Sequence, residues 1–223
     1  MSPFQVRAVG PLLATIVVSG LGCSERQVVE KRGPQGWLAT DEPAERLPVP
    51  FVVDDHFHPS NCYDDAEDCS TVVFDSKDCG TAVLPRPEGA QGQCYGYRYA
   101  PAGLGAYAGV MSVHNPKGGS NWGDIEGRAI EPGASKVTFL AAAPDGSAPK
   151  IYFNVGGVDD ANLPYRDTLK IEQAFVLGRQ FQKYEISLEG RTYDEVIGAF
   201  GWAMLGSDGL GPFEFYLDDV RWE

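Results

Sequence analysis

The sequence is short of positive charge: 18 Lys and Arg stand against 31 Asp and Glu in 223 residues, a formal net charge of -13. Nucleic-acid binding needs clustered Lys and Arg to neutralise phosphates, so that class is excluded and cations or neutral ligands are the better partners. The 27 glycines follow no Gly-X-Y period, which excludes collagen, and an apolar content of 43% excludes wholesale disorder. Enzyme motifs are missing too. There is no HExxH, GxSxG or P-loop, and Gly206-Ser207-Asp208-Gly209-Leu210-Gly211 lacks the glycine order of a nucleotide loop. A glycosidase needs two carboxylates across a cleft, and no pair among the acidic residues stands out. No residue is therefore assigned a catalytic role. Close CxxC pairs are also absent, so Cys62, Cys69, Cys79 and Cys94 do not read as a zinc ribbon.

The chain begins with Arg7 and a largely apolar run, 8–22, that ends Ser19-Gly20-Leu21-Gly22-Cys23. The run is too short for a comfortable membrane span, and small residues crowd its end, as in an export signal. The boundary resembles a bacterial lipobox, which implies lipid on Cys23; an ordinary cleaved signal and an uncleaved anchor are the alternatives. The expected organisation is a signal over 1–22, a flexible tether over 23–49 and one domain over 50–223, placed at the bacterial cell envelope with membrane contact through the lipid alone. In an exported chain the four remaining cysteines read as two disulfides, with the pairing open.

Beyond the tether, short apolar runs alternate with turn residues. Strands are expected at 51–57, 71–74, 94–99, 107–113, 136–141, 150–155, 169–176, 184–188, 196–204 and 213–222. Asp145-Gly146 between Val137, Phe139, Ala141 and Ile151, Phe153, Val155 reads as a hairpin turn. A helix over 193–200 is short and interrupted by Gly198. The expected fold is all-β, a two-sheet antiparallel sandwich.

Two segments set paired aspartates inside apolar strands, Phe51-Val52-Val53-Asp54-Asp55-His56-Phe57 and Phe215-Tyr216-Leu217-Asp218-Asp219-Val220-Arg221-Trp222. Burying a carboxylate is costly, so such a pair needs a cation, an Arg or exposure at a strand end. Calcium, an oxygen-liganded cation, would satisfy both ends at once; solvent at the strand ends is the alternative. His56 and His58 flank Phe57 and make, with His114, a conceivable transition-metal set, against the commoner surface histidine. The acidic run 64–68 reads as a solvated loop, since it lacks the ligand spacing of an EF-hand.

The opening VVDDHF, Asn121-Trp122-Gly123, the run Gly133-Ala134-Ser135-Lys136-Val137-Thr138-Phe139, Gly156-Gly157 and the closing FYLDDVRW resemble the galactose-binding-like β-jelly-roll carbohydrate-binding modules over residues 50–223. The resemblance implies a jelly roll and a structural calcium near the first and last strands, on Asp218 with Asp55, and with Asp54 and Asp219 as alternates. Sugar recognition needs exposed rings beside amides and carboxylates. Trp122 in its polar, glycine-rich surroundings leads the candidates, with Asn121, Asp124, Tyr107 and Tyr97, the last within the alternating Tyr95, Tyr97, Tyr99. Those three share one side of a strand, which is either a platform or a core face; Trp202 and Trp222 read as packing residues. The leading function is a non-catalytic module that binds a polysaccharide or cell-surface glycan. A structural or adhesive surface lipoprotein and a glycan-active enzyme are the alternatives.

Overall fold

A computed structural model describes residues 45–64, 72–75, 84–101, 103, 105–146, 150–205 and 212–223. The expected signal, most of the tether, the acidic run beyond Asp64, Cys69, Cys79 and Cys23 lie outside the described residues. The described ones belong to one compact unit, 42–223.

Among the described residues thirteen strands follow one another: β1 (Phe51–Val52), β2 (His58–Asp64), β3 (Val72–Asp75), β4 (Tyr95–Tyr99), β5 (Tyr107–Val113), β6 (Arg128–Ala129), β7 (Lys136–Ala142), β8 (Lys150–Gly156), β9 (Lys170–Val176), β10 (Gln182–Ser187), β11 (Glu195–Val196), β12 (Gly198–Leu205) and β13 (Phe213–Trp222). One sheet runs β10-β7-β13-β4-β3, with β1 also on β13; the other runs β2-β5-β12-β8-β9. Every pairing within these two sheets is antiparallel. The short pair β6 and β11 stands apart. This is the antiparallel sandwich that the alternating runs predict.

Alternation decides which side chains meet between the sheets. Val137, Phe139 and Ala141 of β7 and Ile151, Phe153 and Val155 of β8 are all buried, and the rings of Phe139 and Phe153 approach to 4.5 Å. The expected hairpin is corrected here, because β7 and β8 belong to different sheets. The Asp145-Gly146 turn carries the chain from one layer to the other, so the two apolar faces meet across the core instead of lying side by side. Tyr97, Trp202 and Phe215 fill the same interior, with Tyr97 stacked on Phe215 at 5.2 Å and Trp202 edge-on to it at 5.0 Å. Burial of each such ring contributes on the order of 2 kcal/mol.

The expected strands are met unevenly. The first strand stops at Val52, where a 3-10 turn over Val53–Asp55 takes the aspartates out of it. The strand expected over 196–204 is met by the end of β11 and by β12, which place Val196, Ala199 and Phe200 inside, and the interrupted candidate over 193–200 is not a helix. β2 was not anticipated: Pro59 sits at a register shift on this edge strand, where a missing N–H is tolerated. Packing also reaches back to Leu47, which is buried and bridged to Ile130.

Candidate functional site

The outer face of the β2-β5-β12-β8-β9 sheet carries a trough. Its register aligns Tyr63, Gly109, Ala203 and Tyr152 across β2, β5, β12 and β8, and beside that row Asn61, Met111, Gly201, Asn154 and Glu172 continue onto β9. Small residues occupy the central strands, so the floor is low. The Tyr63 ring lies over Gly109; a Cβ there would collide with its Cζ and Oη and stand 2.7 Å from the Trp202 carbonyl oxygen. Tyr63 meets Tyr107 at 6.3 Å and Trp122 at 6.0 Å between ring centroids. Tyr107 and Trp122 remain 39% and 38% exposed. The three rings and Met111 form one side of a cavity of about 580 Å³, with Asn154, Gly156 to Asp160, Lys170, Ile171 and Glu172 completing it.

Trp122 is held by its neighbour. Asn121 is fully buried; its Nδ2 donates to His114 O and Ile125 O, and its Oδ1 accepts from Gly123 N and Ile125 N. Its backbone N–H donates to Asn61 Oδ1 at 2.7 Å, and its carbonyl accepts from Asn61 Nδ2 at 2.6 Å. These bonds fix the 114–127 loop to β2. Gly123, at φ 119°, lets the Tyr165 carbonyl approach where a Cβ would stand 2.6 Å away.

The opposite wall is the β8–β9 connection. Lys170 Nζ donates to Asp159 Oδ2 at 2.8 Å, and Asp160 Oδ1 accepts from the N–H and Nδ2 of Asn162. Behind them Asp167 accepts from Val158 N at 3.0 Å, Ile197 N at 2.6 Å and Gly198 N at 3.2 Å, which ties the wall to β12. Burial pushes the Asp167 carboxyl up to about 6 despite those three donors.

The expected sugar contacts therefore separate. Trp122 and Tyr107 come together in the trough. Asn121 does not reach it, because its polar atoms are spent inside the loop. Tyr97 is 2% exposed and belongs to the core with Tyr99, so the tyrosine series is a core face. Asp124 is exposed on the Trp122 loop but does not line the cavity. Tyr63, Asn154 and Glu172 were missed; the alternation of Asn61 and Tyr63 would have indicated the first, had β2 been recognised.

The aspartate pairs lie elsewhere. Asp218 is fully buried and receives Arg86 Nε at 2.7 Å on Oδ2 and Arg86 Nη2 at 2.8 Å on Oδ1, the Arg solution to a buried carboxylate. Asp219, at φ 49° in the β13 bulge, accepts from Gln91 N and Arg221 Nε. Asp54 accepts from Gln93 N and from the Tyr95 hydroxyl. These carboxylates hold the 84–94 segment, while Asp55 is exposed. His114 Nδ1 stands 3.4 Å from His56 O, and burial lowers both imidazoles. Among the described residues no group of three His, Cys, Asp or Glu is arranged to hold a metal ion. Cys62 and Cys94 each have a partner.

Fold and site define a class: an antiparallel β-sandwich with an open aromatic trough on one sheet. No protein-family profile and no curated protein matches the sequence. Among solved structures, a family 11 carbohydrate-binding module from Clostridium thermocellum, in complex with a β-1,3-1,4-mixed-linked tetrasaccharide, is 13% identical over 74% of this chain and 88% of that one, with a TM-score of 0.45. TmCBM61, in complex with β-1,4-galactotriose, is 14% identical over 74% of this chain and 88% of that one, at 0.37. The K1 cleaved adhesin domain of Lys-gingipain from Porphyromonas gingivalis is 13% identical over 78% and 96%, at 0.37. The expected likeness to β-sandwich carbohydrate-binding modules is thus met among solved structures. At these identities and TM-scores no ligand passes from them to this chain.

Proposed function

We propose that the trough binds a polysaccharide chain without cleaving it. The observation that carries this reading is the grouping of Trp122, Tyr107 and Tyr63 along an open cavity whose remaining polar lining is amide, carboxylate and ammonium. Flat rings stack on the C–H faces of pyranoses, and polar neighbours take the hydroxyls. Asp159, Asp160 and Glu172 are exposed, whereas a glycosidic acid needs a carboxyl kept protonated by burial or like charge. Affinity electrophoresis through gels containing soluble polysaccharides tests the proposal. At least one glycan is expected to retard the protein, and Trp122→Ala to abolish the retardation. Retardation by none, or retardation unchanged in the variant, rejects the site, and release of reducing ends would convert the reading to an enzyme.

The same reading includes export with lipid on Cys23, two disulfides among Cys62, Cys69, Cys79 and Cys94, and a role at the cell surface. Support for the disulfides is that Cys62 and Cys94 are each engaged with a partner. A structural calcium on Asp55 and Asp218 is a separate proposal, since such an ion would share Asp218 with Arg86.

A further inference from the structure

The polar lining of the trough is unbalanced. Asp159, Asp160 and Glu172 face one ammonium, Lys170, and that ammonium is already engaged by Asp159 at 2.8 Å. Asn154 lies opposite Glu172 in the β8–β9 register, and its Oδ1 is buried without a hydrogen-bond partner among the described residues. Glu172 acts on the aromatic side as well, since its charge adds to the burial that raises the Tyr63 phenol. The cavity thus offers acceptors and ring faces, with its one cationic donor already in use.

From this juxtaposition we infer that the trough selects glycans carrying free amino groups, that is, cationic amino-sugar chains. The inference rests on the carbohydrate reading above and names the class of sugar. A neutral hydroxyl gains only hydrogen bonds here and nothing from the surplus negative charge. A uronate carboxylate only accepts, and it meets like charge. An ammonium only donates: it brings three N–H groups to the carboxylate oxygens, and its charge is attracted by the faces of Trp122 and the tyrosines. The overall charge of -13 acts in the same direction on approach.

Isothermal titration of the full chain in mildly acidic buffer, where sugar amines are protonated, with four pure oligosaccharides of equal length tests this: β-1,4-linked glucosamine, its N-acetylated counterpart, β-1,4-linked glucose and α-1,4-linked galacturonate. The glucosamine oligomer is expected to bind about tenfold more tightly than the acetylated and glucose oligomers, the scale of one or two partly exposed charge pairs, and galacturonate not at all. Glu172→Gln is expected to remove most of that preference, and Glu185→Gln, on the other sheet, to leave both the preference and the binding of the glucose oligomer intact. Equal or tighter binding of the uncharged oligomers overturns the inference alone, as does a preference that Glu172→Gln and Glu185→Gln reduce equally. Failure of all four to bind overturns the carbohydrate reading beneath it.

Discussion

At the scale of the residue, neighbours in sequence have opposite fates. Asn121 and Trp122 are adjacent, yet one is sealed among backbone groups and the other stands in solvent, because an amide with two donors and an acceptor can satisfy a whole loop while an indole cannot. Asp218 and Asp219 divide likewise: the β13 bulge turns the first into a buried pair with Arg86 and leaves the second to bind Gln91 and Arg221. Asp167 has a measurable signature. Its folded carboxyl titrates near 6, above the ordinary value of 3.8, because desolvation outweighs three N–H donors. The folded state therefore holds this proton more tightly than the unfolded chain does. Its contribution to stability is full below about 4, falls as pH rises through about 6, and is absent at neutral pH. In thermal melts from pH 4.5 to 7.5, Asp167→Asn should remove that component, so the difference in midpoint between the two proteins should change with an inflection near 6. Parallel profiles would place the titration elsewhere.

At the scale of the element, the trough is an outcome of strand register. Gly109, Gly201 and Ala203 become neighbours only because β5 and β12 pair as they do, and Tyr63 covers Gly109 only because β2 adds to that edge. Replacing Gly109 by Ala inserts a methyl group between the Tyr63 ring and the immovable Trp202 carbonyl. Overpacking of this kind costs about 1–3 kcal/mol. Gly109→Ala should lower the denaturant midpoint accordingly and weaken glycan binding by moving Tyr63, whereas Gly103→Ala, with open space around it and no positive φ, should leave binding unchanged. A Gly109→Ala protein of full affinity would show that Tyr63 takes no part in the site.

At the scale of the whole molecule, excess acidity sets how the protein answers to ions. With 31 acidic against 18 basic residues the compact state repels itself, so the thermal midpoint at pH 7 should rise with sodium chloride up to moderate concentration. At fixed ionic strength, a calcium ion on Asp55 and Asp218 predicts a lower midpoint in chelator, a difference lost in Asp218→Asn. Equal midpoints would leave Arg86 as the counter-charge of Asp218. The all-β class was legible in the sequence, since alternation such as Tyr184, Ile186, Leu188 against Glu185, Ser187 is a local property of a half-buried strand. Most strand positions, the packing roles of Trp202 and Trp222, and the promise of Trp122 and Tyr107 followed from the same local cues. The polar edge strand β2 left no such cue, and with it went Tyr63. Local pattern tells which face of a strand is apolar; it does not tell which strand lies beside it or across from it. For that reason the sequence alone determined the sandwich, its apolar faces and the need to compensate buried aspartates. Only the tertiary structure decided that β7 and β8 face each other across the core, that Arg86 reaches Asp218 and that rings from three separate segments line one trough. Those are long-range pairings, chosen by how the whole chain packs.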